Sequence, residues 1–255
     1  MMNTRKDQLQ AFERLLDIMD ELREKCPWDR KQTMETLRTL SIEEVYELSD
    51  AIIEKDSDEI KKELGDVFLH LVFYSKIASE QNKFDVADVL NSICDKLIHR
   101  HPHIYGDVEA DTEEKVLQNW EQIKLKEGNK SVLSGVPTSL PAMVKAFRIQ
   151  DKVKGVGFEF ENSNQVFDKI IEEINEFKEE QNPIDKEMEF GDILFSLINY
   201  GRFNGLNSED ALERSNKKFI SRFQKLEEIA QENGHNLADL TISELENLWN
   251  LAKIR

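Results

Sequence analysis

Apolar positions recur three and four apart through most of this chain, the period of a helix that buries one side. In 11–24 they are Phe12, Leu15, Leu16, Met19 and Leu22, and Cys26-Pro27-Trp28-Asp29 stops that helix at its proline. The pattern predicts further helices over 34–53, 87–100, 142–154 and 212–223. Val166, Ile170, Ile171, Ile174 and Phe177 form the stripe of another. Two denser apolar runs, 67–74 and 193–198, read as helices buried on every side.

Polar positions carry the chemistry. Glu172, Glu173 and Glu176 precede a break at Asn182-Pro183, after which come Glu189, Gly191 and Asp192. Residues three or four apart share a helix face, so each segment offers a carboxylate pair on one side. The break is short enough for the two helices to lie antiparallel and face their acids together. Carboxylates at that range repel unless a cation sits between them, and an all-oxygen site suits Mg²⁺ or Mn²⁺. A solvated acidic face is the competing reading of a single stretch.

The stretch occurs twice. Glu43, Glu44 and Glu47, a break at Asp56-Ser57-Asp58, then Glu63, Gly65 and Asp66 repeat the arrangement ahead of 67–74. A capping box at Ser41 and Glu44 is the alternative reading of the first acids. Lys96 and Arg100 stand four apart, as do Lys218 and Arg222; so do Trp120 and Lys124, and Trp249 and Lys253. Cys26-Pro27-Trp28-Asp29 corresponds to Val156-Gly157-Phe158-Glu159. Self-similarity of this kind implies two domains of one architecture. The boundary falls in 127–141, rich in glycine, serine and proline.

Composition narrows the partners. The 255 residues carry a formal net charge of -17, which opposes a nucleic-acid surface. Few breakers and many helix formers favour a mostly helical protein. Cys26 and Cys94 have no zinc or disulfide spacing, and no signal peptide or membrane span is expected, so a cytoplasmic protein follows. His99, His101 and His103 flank Pro102 and read as a structural turn. Acids for a hard cation, Lys and Arg for phosphate oxygens, and a tryptophan for a base imply a nucleotide with Mg²⁺. Solvated helix charges and core tryptophans are the plainer alternatives.

At these residues the chain resembles the MazG family, among the all-α nucleoside triphosphate pyrophosphohydrolases. Its E-E-x-x-E, spacer, E-x-x-D pattern is met by Glu43, Glu44, Glu47, Glu63 and Asp66, and again by Glu172, Glu173, Glu176, Glu189 and Asp192. Further matches are Gln32-Thr33, Arg100-His101-Pro102-His103, Asn119-Trp120-Glu121-Gln122-Ile123-Lys124, Leu140-Pro141-Ala142, Gly157-Phe158 and Asn216-Lys217-Lys218-Phe219.

The resemblance implies an all-α tandem repeat of two four-helix-bundle-type domains, 1–127 and 142–255, joined by a linker at 128–141 and completed by homodimerisation. It implies hydrolysis of a nucleoside triphosphate to monophosphate and diphosphate, with the C-terminal domain catalytic. Glu173, Glu176, Glu189 and Asp192 would hold the metal, with Glu44, Glu47, Glu63 and Asp66 as counterparts. Lys169, Glu172, Lys218 and Arg222 would bind substrate, and Trp249 would lie against the nucleoside. Lys186 alone stands near a further basic position of the family. The competing functions are a carboxylate–metal bundle for iron and a regulatory nucleotide-binding module. An iron bundle needs Glu-x-x-His on two helices. Glu232 with His235 is the one instance, and Gly234 puts it at a helix end.

Overall fold

The computed structural model describes residues 3–112, 115–116, 119–120, 123 and 131–253, and it is helical throughout with no strand among them. The chain divides into two compact units, Met1–Ala110 and Asp111–Arg255. Glu121, Gln122, Lys124 and 127–130 of the expected linker lie outside the described residues. Residues Val132–Gly135 form a 3-10 turn packed on the helix that follows, where Lys152 Nζ donates to Val132 O at 3.1 Å.

In the first unit, α1 (Arg5–Lys25) begins earlier than its apolar period, because Thr4 and Asp7 close a capping box. After a 3-10 turn at Asp29–Lys31 comes α2 (Met34–Glu54), capped by Thr33. Ser41 is therefore mid-helix. Its hydroxyl donates to Leu37 O and meets the Tyr74 hydroxyl at 2.7 Å, so Ser41 is not the cap. Lys55, at φ 58°, ends α2, and Asp56 caps α3 (Ser57–Glu80). Two linking residues force α2 and α3 to run antiparallel and pack along their length. Then follow α4 (Val86–Arg100) and α5 (Pro102–Tyr105). His101 Nδ1 lies 2.6 Å from Leu97 O, in keeping with a structural turn. Met19, Leu37, Val72, Phe73 and Ile77 form the core of this unit.

The second unit holds α6 (Ala142–Lys154), α7 (Ser163–Glu179), α8 (Pro183–Phe203), α9 (Ser208–Glu232) and α10 (Ile242–Ala252). Asn182 caps α8 with Pro183 in its first turn, which makes the connection from α7 short. Val166, Ile170 and Ile198 are buried, and α7 packs closely on α8. Ile171 is exposed, and the buried stripe passes instead through Val166, Ile170 and Glu173. Gly234, at φ +70°, follows the end of α9 near His235.

The two apolar runs depart from expectation. Val72, Phe73 and Ile198 are buried, but Phe68, Leu71, Leu194 and Leu197 are exposed. Within a single chain each run keeps an exposed apolar face beside its buried one.

Arg202 is almost fully buried, and its Nη2 donates to both carboxylate oxygens of Glu159, at 2.8 and 2.7 Å. This pins the loop after α6 to α8. Arg202→Met strands the carboxylate. Glu159 keeps partial contact with solvent, so the expected loss of stability in urea unfolding is about 2 kcal/mol, below the cost of breaking a fully buried pair.

Candidate active site: two acidic helix pairs

The inward stripe of α3 runs Glu63, Asp66, His70, Phe73 and Ile77, at helical spacing. Acids occupy its first turns and apolar groups its last. Across from it, α2 contributes Glu44. One carboxylate oxygen from each of Glu44, Glu63 and Asp66 lies within 4.8 Å of the others. Glu47 is exposed and outside this trio. Burial raises the Glu44 pKa, and the charges of Asp66, Glu47 and Glu63 add to it. Glu63 is fully buried, and Lys62 Nζ bonds its Oε1 at 2.8 Å, holding its pKa down. Its other oxygen, Oε2, is buried with no hydrogen-bond partner among the described residues.

The second unit assembles Glu173 and Glu176 of α7 with Glu189 of α8, again within 4.8 Å. Asp192 lies outside this trio; it lines the adjoining cavity beside Glu173. Lys169 Nζ reaches Glu172 Oε1 and Glu173 Oε1, both at 2.8 Å, and these bonds raise its pKa. Burial raises the Glu176 pKa, followed by the charge of Glu173. Glu173 is buried although charged, which requires a cationic partner.

Beyond Glu173 and Asp192 opens a cavity of about 500 Å³ between α6, α7, α8 and the loop 157–160. Its apolar wall includes Val153, Phe158 and Phe195, and its polar groups include Gln150, Ser196 and Asn199. At the matching register the first unit has bulk. His70 stands for Ser196, Phe73 for Asn199, and Arg23 for Val153, with the Arg23 guanidinium 5.4 Å over the Phe73 ring.

Lys218, Arg222 and Trp249 do not line this cavity. Lys218 is exposed and Arg222 half-buried on α9. Trp249 packs on the Leu226–Leu248 core, its ring 5.1 Å from that of Phe219. Lys186 sits 5.0 Å over the Phe177 ring and donates to Glu180 O. Sequence reasoning missed Lys62, Gln150 and Asn199. The available signal was a polar residue on an inward stripe, as Gln150 is between Ala146 and Val153.

The fold and the two carboxylate centres define an all-α protein built on acidic helix pairs. A profile of the MazG nucleotide pyrophosphohydrolase domain matches residues 32–105. The chain is 43% identical over 247 residues to the nucleoside triphosphate pyrophosphohydrolase/pyrophosphatase MazG of Thermotoga maritima, covering 95% of each. It is 38% identical over 257 residues to a nucleoside triphosphate pyrophosphohydrolase of Escherichia coli K12, covering 96% of this chain and 98% of the relative. A crystal structure of a MazG-related protein from Thermotoga maritima covers 44% of this chain and 98% of its own, at 26% identity and a TM-score of 0.40. The chain belongs to the MazG family. Among its described residues no helix is long and apolar enough to cross a membrane.

Proposed function

We propose that this MazG-family enzyme hydrolyses nucleoside triphosphates to monophosphate and diphosphate, with water attacking the α-phosphorus and a divalent cation, Mg²⁺ or Mn²⁺, held by the acids. The observation that carries this is the Glu173–Glu176–Glu189 trio beside a cavity of nucleoside size. The names of the relatives at 43% and 38% identity support the same reaction.

The donor set fits such a cation. It is all carboxylate oxygen, which hard cations prefer. In the first unit Glu63 Oε2, buried with no hydrogen-bond partner among the described residues, is an acceptor that such a cation would satisfy. A bound cation supplies Lewis acidity toward phosphate oxygens and acidifies a coordinated water. In the second unit Glu173, Glu176 and Glu189 would hold it, with Asp192 at the cavity edge. Lys169, already fixed on Glu172 and Glu173, presents a positive charge where phosphate would enter. Lys218 and Arg222 on α9 would serve the outer phosphates, and Trp249 the nucleoside. We place two MazG-like domains at 1–127 and 142–255, in a cytoplasmic enzyme without a nucleic-acid partner.

The test is a panel of nucleoside triphosphates with Mg²⁺ and product identification. Pyrophosphate and monophosphate are expected. Orthophosphate and nucleoside diphosphate as first products sink the proposal.

The exposed apolar faces of α3 and α8 support a homodimer that completes each bundle. Light scattering at micromolar concentration is expected to give twice the chain mass; an active monomer removes the dimer.

A further inference from the structure

Each trio already carries a cation, supplied by the chain itself. In the second unit Lys169 Nζ stands 2.8 Å from Oε1 of Glu172, which is exposed, and 2.8 Å from Oε1 of Glu173, which is buried. In the first unit Lys62 Nζ stands 2.6 Å from Oε1 of the exposed Glu59 and 2.8 Å from Oε1 of the buried Glu63. Glu173 and Glu63 are the one buried acid of each trio.

The internal repeat does not explain this match. Lys169 lies on α7, the first helix of its pair, one turn ahead of the two glutamates it meets. Lys62 lies on α3, the second helix of its pair, after Glu59 and next to Glu63. Two unlike local sequences therefore bring an ammonium to the same kind of carboxylate. What they share is the need for a counter-ion, because a buried carboxylate is costly without one.

Neither lysine is a fixed partner. Their side chains stay 38% and 60% exposed, for Lys169 and Lys62 in turn. An ammonium on a flexible stem, still in water, leaves an ion pair at little cost. Arg202, buried against Glu159, shows the contrast of a cation held in place. A divalent cation held by the trio would neutralise the carboxylate that the ammonium serves and bring a like charge against it.

We propose that Lys169 is a removable counter-ion: its ammonium neutralises Glu173 while the trio holds no metal, and it leaves Glu173 for a phosphate oxygen when a divalent cation enters. Lys62 stands in the same relation to Glu63. This rests on the cation reading above and adds an order to it, since the cation must arrive before, or with, the phosphate that Lys169 meets.

The test needs no turnover. Crystals of the full chain are grown metal-free and then soaked with Mn²⁺, which its anomalous signal locates. Metal-free crystals are expected to keep Lys169 Nζ on Glu173, and soaked crystals to show Mn²⁺ at the trio with Nζ beyond hydrogen-bond reach of Glu173. The second measurement is Mg²⁺ binding by calorimetry without nucleotide, in a Glu63→Gln background that weakens the first trio. Lys169→Met is expected to bind Mg²⁺ about tenfold more tightly than this parent. Lys169→Arg, which keeps a charge suited to carboxylates, is expected to bind it no more tightly than the parent. Nζ still on Glu173 beside bound Mn²⁺, or away from it in the metal-free crystals, overturns the inference and leaves the cation site standing. So does a Lys169→Met protein with the parent's affinity, or a Lys169→Arg protein as tight as Lys169→Met. If Lys169→Met does not fold, the wild-type crystals decide alone. A wild type that takes up neither Mn²⁺ nor Mg²⁺ overturns the cation site, and the inference with it.

Discussion

Glu189→Gln is expected to lower pyrophosphate release about 10²-fold or more, at roughly 1.4 kcal/mol per tenfold, while the matched Glu63→Gln leaves it within about twofold. Each change keeps shape and removes one carboxylate charge from a trio. The sequence favours the second unit because Lys169 precedes Glu173 by one turn, whereas Leu40 holds that place in the first. The structure weakens that argument, because Lys62 reaches Glu63 as closely as Lys169 reaches Glu173. The asymmetry lies beyond the acids. His70, Phe73 and Arg23 occupy the first unit at positions where Ser196, Asn199 and Val153 line a cavity in the second. A nucleoside has room beside Glu173, and a barrier is lowered only where the substrate can be held against the acids. Glu176→Gln and Glu47→Gln are less well matched, because Glu47 stands outside its trio. Equal losses in the Glu189 and Glu63 variants mean both units turn over; the reverse order means the assignment is wrong.

Removing divalent metal is expected to lower turnover about 10³-fold or more, restored by Mg²⁺ or Mn²⁺. Lys62 and Lys169 each engage one oxygen of their trio's buried glutamate, and the remaining charge is left uncompensated. Burial and neighbouring carboxylates raise Glu44 and Glu176. Each binds its proton more tightly folded than unfolded. Their contribution to stability is full below the ordinary carboxylate range and is lost as pH rises through the raised values. Glu63, held down by Lys62, runs the other way and loses its contribution as pH falls. A cation relieves the repulsion of the first pair, so Mg²⁺ is expected to raise the Tm more at pH 7.5 than at pH 5. Equal Tm shifts at the two pH values, or full activity in metal-free buffer, contradict this account.

The helical class was legible because one-sided apolar periodicity is a local property, and so were the breaks at Asn182-Pro183 and Asp56-Ser57-Asp58, where Asn182 and Asp56 cap the helices that follow. The start of α1 was not, since the capping box of Thr4 and Asp7 lies ahead of the apolar stripe. The acid pattern pointed to acids gathered on one side of each helix pair, because i, i+3 spacing fixes a shared face, and three acids of each pair do lie together. It could not show that Glu47 and Asp192 stand outside the close trios, which depends on how each helix pair is rotated. Nor could period alone separate a helix buried all round from one with an open apolar face, as Phe68 and Leu71 show. The burial of Gln150 was not legible either, because its partner is Phe195 O, a backbone atom on another helix.

The most direct test of the central claim is hydrolysis of a nucleoside triphosphate with Mg²⁺ in ¹⁸O-enriched water, with the products analysed by mass spectrometry. Attack at the α-phosphorus puts the label in the monophosphate and none in pyrophosphate, which is the expected result. Label in pyrophosphate places the attack at the β-phosphorus, and label in orthophosphate places it at the γ-phosphorus; either contradicts the account.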